Sequence, residues 1–265
     1  MKIGIIGCGN MGQAIANGIL SGKIVTFGNV YLSDKDSYKV KELNKKFGAR
    51  VSTNEEISKK CNYIIAAVKP QDAEKVFRAI QNNLDNTKHV ISIMAGVTLS
   101  RLGKLVKGKV AITRAMPNMA ALVGKSITCL SHNKTVKNKT VVHKIFSSVG
   151  EVIELDEKYM DAVTAVTGSG PAYYFYLSEI IRDAAVKLGI KKEMASKLVS
   201  ATLSGSGALS DHLKYAPETL RAHITSKKGT TEAALKVLMA KNFRNQVVKA
   251  VTAAAKRAAE LSKGS

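Results

Sequence analysis

Ile3-Gly4-Ile5-Ile6-Gly7-Cys8-Gly9-Asn10-Met11-Gly12 opens the chain, an apolar strand running into a glycine loop that starts a helix. The pattern G-x-G-x-x-G between a strand and a helix is a binding site for a nucleotide pyrophosphate. Each glycine has its own reason. Gly7 allows the tight turn out of the strand, Gly9 leaves room for pyrophosphate beside the backbone, and Gly12 lets the helix pack closely on the strand. The helix, predicted over Asn10 to Leu20, points its free N–H groups and the positive end of its dipole at the anion. Ile6, Asn10 and Met11 belong to the same cradle.

Outward from this stretch, short apolar runs alternate with amphipathic ones. Strands are predicted at Val30–Leu32, Ala49–Val51, Tyr63–Val68, His89–Ile93, Val110–Thr113, Ser126–Leu130 and Val152–Leu155. Helices are predicted at Tyr38–Phe47, from Asn54, at Gln71–Leu84, Leu99–Leu105 and Val136–Ser147. Such alternation implies a Rossmann-like, doubly wound, mostly parallel sheet over residues 1–156. Strand signals end there. Residues 157–265 read as helices only, near 158–165, 171–188, 193–210, 216–223, 231–240 and 243–262, so an all-α second domain is expected. Its Ala-, Ser- and Gly-rich helix Met194–Leu209 suits close helix packing, and a homodimer or higher homo-oligomer built from this domain is expected.

Composition bounds the class. The chain has 265 residues, 45% of them hydrophobic, enough for one large core or two modest ones. No apolar run approaches the roughly 18 residues needed to span a bilayer, and no signal peptide precedes the glycine loop, so a cytoplasmic protein without membrane contact is expected. Cys8, Cys61 and Cys129 are odd in number and far apart, which supports neither disulfides nor a metal site. The net charge of +21 is spread, with 24 Lys+Arg against 11 Asp+Glu in residues 1–156 and 17 against 9 beyond. A basic arm for nucleic acid is absent. The excess reads as solvated lysines, or as a field that draws anionic ligands to the cleft.

Four further segments carry candidate chemistry. Ala67-Val68-Lys69-Pro70 lies where open α/β sheets bind ligands, and Lys69 either contacts phosphate or ends the strand. Met94-Ala95-Gly96 would let a flat ring lie against backbone, although a tight turn alone also explains Gly96. Thr167-Gly168-Ser169-Gly170-Pro171 opens a helix at the domain junction. Ser226-Lys227-Lys228-Gly229-Thr230-Thr231-Glu232 either caps a helix or holds a small carboxylate with its N–H groups, lysines and hydroxyls. Asp34 stands about 20 residues past the glycine loop, where an acid bonds the ribose 2′-OH of NADH and repels the 2′-phosphate of NADPH. Lys35 pulls the other way, and Asn54 serves either.

These segments resemble pyrroline-5-carboxylate reductase, in order and over nearly the whole chain: G-C-G-N-M-G, A-V-K-P-Q, M-A-G-V, R-A-M-P-N, D-A-V-T-A-V-T-G-S-G-P-A-Y and S-K-K-G-T-T-E-A-A-L. The resemblance implies reduction of 1-pyrroline-5-carboxylate to L-proline by hydride from NADPH or NADH, without metal. It implies that Ser226, Gly229, Thr230 and Thr231 bind substrate, and that Thr231, as the catalytic residue, bonds the ring nitrogen or relays its proton. His223 is then structural or at the rim. The family's usual S-P-G-G-x-T reads S-K-K-G-T-T here, which strains Lys228 if its position needs a positive φ, and its N-T-P reads Asn118-Met119-Ala120. Two other readings compete. A 3-hydroxyacid dehydrogenase related to 6-phosphogluconate dehydrogenase shares the layout, but its catalytic Lys has no counterpart between Pro171 and Lys187. A non-enzymatic basic nucleotide-binding module predicts DNA binding that is steeply lost with salt.

Overall fold

The computed structural model describes residues 1–240 and 242–263. Lys241 and the last two residues of the expected 157–265 domain lie outside them. Eight strands form one sheet: β1 (Ile3–Ile6), β2 (Val30–Ser33), β3 (Arg50–Val51), β4 (Tyr63–Ala66), β5 (His89–Ser92), β6 (Ala111–Met116), β7 (Ser126–His132) and β8 (Gly150–Glu154), in the order β3-β2-β1-β4-β5-β6-β7-β8. All neighbours are parallel except β6 and β7. That pair is joined by a short 3-10 turn, Met119–Val123, closed by Gly124 at φ 69°, and so short a link cannot make the crossover that parallel strands need.

Helices α1 (Asn10–Ser21), α2 (Ser37–Phe47), α3 (Asn54–Lys60), α4 (Ala73–Ile80), α5 (Leu99–Val106) and α6 (Thr140–Ser147) cover the sheet on both faces. Ile15 and Ile19 of α1, Val40 of α2 and Ile145 and Phe146 of α6 share one core with Ile3, Ile5, Ile65 and Ile91. Ile57 of α3, Phe77 and Ile80 of α4 and Leu102 of α5 share the other with Ile64, Val90 and Ile112. Successive residues Ile64 and Ile65 thus enter opposite cores, because side chains of a strand alternate faces. Burying both faces explains why these strands are apolar almost throughout.

Some boundaries differ from the sequence reading. The helix expected from Val136 begins at Thr140, whose N–H is taken by the Asn138 side chain at 2.9 Å, a local turn that competes with helix. The helix expected over 71–84 is an α-helix only from Ala73 to Ile80, with a 3-10 turn at each end. The helix expected near 158–165 shortens to α7 (Met160–Val163), followed by a wide π-type turn at Thr164–Gly168.

Then come α8 (Gly170–Lys187), α9 (Lys192–Leu213), α10 (Pro217–His223), α11 (Thr230–Ala240) and α12 (Phe243–Lys263). By packing, one unit comprises residues 1–169 and 253 onward, and another Gly170–Thr252. The division expected at 156/157 follows the last strand, whereas packing groups residues 157–169 and the end of α12 with the sheet. In the second unit α8 packs on α9, yet Gly170 and Ala195 are its only buried residues among those described.

Candidate active site

A cleft of about 720 Å³ lies at the C-terminal ends of β1, β2 and β4. It is lined by Ile6, Gly7, Gly9, Asp34, Lys35, Asn54, Ala67, Val68 and Lys69, all singled out from sequence. Gly7 has φ +102°, and a Cβ there would meet the Ala67 carbonyl oxygen at 2.5 Å. A Cβ on Gly12 would stand 2.0 Å from the Gly7 carbonyl oxygen, so α1 sits as close to its strand as backbone allows. Gly9, the N-cap of α1, differs: among the described residues nothing lies within 4 Å of the place a Cβ would take. That open space beside a helix N-terminus suits a pyrophosphate.

The loop is held from β2. The Gly7 N–H donates to the Ser33 carbonyl at 2.8 Å, and the Cys8 N–H donates to Asp34 Oδ2 at 2.5 Å. Asp34 Oδ1 accepts from the Asp36 N–H at 2.8 Å. Both carboxylate oxygens of Asp34 therefore bond to backbone. Cys8 is fully buried, and burial, with the Asp34 charge, pushes its thiol up to about 12, so it fills space and does not react. Asn54 is set by the start of α3, where the Thr53 hydroxyl accepts from the Glu56 N–H at 3.1 Å and Ser52 Oγ bonds Glu56 Oε2 at 2.7 Å.

Asn10, Met11 and Gly12 form the first turn of α1, and Pro70 starts the 3-10 turn after Lys69. Met94, Ala95 and Gly96 follow β5, beyond the lining of the cleft, with Met94 buried and Gly96 at φ +73°. Sequence reading misses Ser33, Lys39, Ser52, Thr53, Lys75 and the acidic Glu55 and Asp72, which also line it. Lys39 lies five residues past Asp34, in the first turn of α2, and that spacing was the available signal. The π-type turn was missed too: the Ser169 N–H reaches the Thr164 carbonyl at 2.9 Å, with Thr164 and Thr167 hydroxyls bonding the carbonyls four residues back. Turns of this kind recur at functional sites.

In the other unit, the Ser226–Thr231 segment opens α11. The Gly229 N–H donates to the Ser226 carbonyl at 3.0 Å, and a Cβ on Gly229 would meet Ser226 Oγ at 2.2 Å. Lys228 has φ +59°, the left-handed strain anticipated for this position, and its N–H donates to the Glu232 carboxylate. Glu232 is further paired with Lys236 at 3.4 Å. Among the described residues no hydrogen bond engages the Thr230 or Thr231 hydroxyl. The Glu232 carboxylate ties the loop before this helix to its first turn, and both threonines keep their donors.

Comparison with known proteins agrees with this layout. Residues 157–261 match the family model for pyrroline-5-carboxylate reductase dimerisation, and residues 2–96 match the model described as NADP oxidoreductase coenzyme F420-dependent. The chain is 34% identical to the pyrroline-5-carboxylate reductase of Arabidopsis thaliana, over 98% of this chain and 95% of that one. It is 36% identical to that of Escherichia coli, over 99% and 98%. A solved pyrroline-5-carboxylate reductase from Coxiella burnetii superposes with a TM-score of 0.92 at 32% identity, covering 98% of each chain. A pyrroline carboxylate reductase from Plasmodium falciparum, solved with NADP bound, gives a TM-score of 0.86 at 33% identity, covering 99% of this chain and 98% of that one. The glycine cradle, the free threonines of α11 and the agreement over the full chain have one common reading: this chain belongs to the pyrroline-5-carboxylate reductase family.

Proposed function

We propose that this chain reduces 1-pyrroline-5-carboxylate to L-proline with a reduced nicotinamide dinucleotide. The observation that carries the reading is the start of α11, where the Thr230 and Thr231 hydroxyls make no hydrogen bond among the described residues and stand beside Gly229 in a chain of this family. The dinucleotide, when bound, supplies the hydride. The chain's own residues bind and orient. The N-terminus of α1 and the space over Gly9 take the pyrophosphate. Gly229 and Thr230 hold the substrate carboxylate, helped by the Lys227 and Lys228 charges, and Ser226 shapes their turn. Thr231 bonds the ring nitrogen and holds its proton there. A protonated imine is already an electrophile, so positioning supplies most of what the reaction needs.

NADPH is the preferred form. Each Asp34 oxygen already accepts a backbone N–H, and Lys35, Lys39 and Lys75 line the same cleft beside Glu55 and Asp72, the lysines being cations suited to a 2′-phosphate. Residues 157–265 serve as the substrate-binding and dimerisation region. A homodimer accounts for a helical unit with almost nothing buried inside it. A cytosolic setting accords with three buried cysteines that are all unpaired.

Initial rates with 1-pyrroline-5-carboxylate and each cofactor test the proposal. Proline formation with kcat/KM higher for NADPH is expected, and replacing Lys35 and Lys39 with Gln should lower that ratio. Cofactor oxidation that needs a linear keto acid instead would overturn it.

A further inference from the structure

Arg114, on β6, is 3% exposed and has two acidic partners. Its Nη1 lies 3.2 Å from Glu157 Oε1 and its Nη2 3.3 Å from Asp161 Oδ1. Each partner does a second job. Glu157 Oε1 also accepts the Leu99 N–H at 2.7 Å, the first residue of α5. Asp161 Oδ1 also accepts from Ser262 Oγ at 2.9 Å, in the last turn of α12. That last turn in turn lies on the loop after β5: a Cβ on Gly96 would stand 3.0 Å from Leu261 Cβ and 3.1 Å from its carbonyl carbon. The loop from Met94 to Leu99 is thus gripped at its far end by Glu157 and in its middle by Leu261, and Arg114 anchors both grips.

We propose that Arg114 is a positioning residue for hydride transfer, which fixes the Met94–Gly96 turn through Glu157, Asp161 and Ser262. The inference rests on the function proposed above. A dinucleotide held by its pyrophosphate on α1 and by its adenosine near the end of β2 would direct its other end past β4 toward β5, where this turn stands. Affinity comes mainly from the glycine loop. Ring orientation comes from the turn.

The decisive variants are Glu157→Ala, which removes the acceptor of the Leu99 N–H, and Glu157→Gln, which keeps an oxygen there. Arg114→Lys keeps the charge but not the fork. Wild-type turnover is measured first, since its absence overturns the function and not this inference. In Glu157→Ala, kcat should fall about tenfold to a hundredfold while the cofactor Kd, from fluorescence titration, stays within about twofold. The isotope effect with cofactor deuterated at the transferred position should rise, and amide exchange over residues 94–102 should quicken. Glu157→Gln should restore most of both, and Arg114→Lys should fall between. A lower Tm with unchanged kcat and isotope effect would make this cluster a strut and overturn the inference. So would loss of cofactor affinity in step with kcat, or unchanged exchange over 94–102.

Discussion

Gly9 and Gly12 sit three residues apart and fail differently when substituted. Any side chain at Gly12 strikes the Gly7 carbonyl, so its loss damages the fold. A side chain at Gly9 meets no protein atom, so Gly9→Val should fold with a near-normal Tm and yet bind no cofactor in a fluorescence titration. A folded Gly9→Val with unchanged affinity would put the pyrophosphate elsewhere. Thr231 is argued similarly. Its hydroxyl caps nothing, so Thr231→Ala should leave Tm nearly unchanged and lower kcat. A hydrogen bond to a charged group is worth about 1.5–3 kcal/mol, on the order of tenfold to a hundredfold in rate if it forms in the transition state. Thr231→Ser keeps the donor and should keep much of the activity. Wild-type kcat with a lowered Tm in Thr231→Ala would return the residue to a structural role.

At the scale of elements, a polar row, buried on β5 and β6 and reaching the surface on β8, crosses four adjacent strands away from the cleft. His89 Nε2 of β5 lies 2.7 Å from Thr113 Oγ1 of β6, which lies 2.8 Å from His132 Nδ1 of β7. His132 Nε2 is buried without a hydrogen-bond partner among the described residues, 3.6 Å from Glu154 Oε1 of β8. Glu154 bonds His143 at 2.6 Å and pairs with Lys139. Burial, with His132 nearby, lowers His89 from 6.5 to about 4, and burial lowers His132 against the pull of Glu154. Burial works against ionised Glu154, but hydrogen bonds from Lys139 and His143 outweigh it and bring the carboxyl down to about 2. The unfolded chain binds a proton at His89 below pH 6.5 and the folded one only near 4. Stability is therefore full above pH 6.5 and declines between 6.5 and 4, at up to about 1.4 kcal/mol per pH unit from this residue. Glu154 adds a further loss as pH falls from 4.5 toward 2. Urea midpoints at pH 7, 5.5 and 4.5 check this, and His89→Gln should give a shallower slope. An unchanged slope in that variant would remove His89 from the effect.

For the whole molecule, the question is what covers the Gly170–Thr252 unit. Tyr174, Phe175 and Tyr176 are 63%, 59% and 66% exposed in one chain, and Leu188 is 84% exposed. Apolar surface on this scale marks an interface. Light scattering should give at least about 57 kDa, twice the 28.4 kDa chain, at micromolar concentration. Replacing Tyr174 and Tyr176 with Lys should lower that mass. A monodisperse wild-type monomer would leave the helical unit without a source of stability.

The sequence by itself determined the doubly wound sheet, the glycine cradle and the helical second half, because each rests on local rules: backbone freedom at Gly7, apolar period, and polar helix starts. Strain at Lys228 was legible only through the family resemblance, which has glycine there; the φ of +59° comes from the structure. Element edges were less legible. The Asn138 turn beat the helix pattern around it, and a π-type turn at Thr164–Gly168 has no simple period. Lys39 and Lys75 enter the cleft only because α2 and α4 turn them toward it. Most of all, Arg114, Glu157, Leu99, Gly96 and Ser262 are up to 166 positions apart in the chain, the span from Gly96 to Ser262. Their bonds need β5 and β6 side by side and the end of α12 brought back onto the sheet. Only the tertiary structure decided that, because no local pattern encodes which distant carboxylate meets a buried guanidinium.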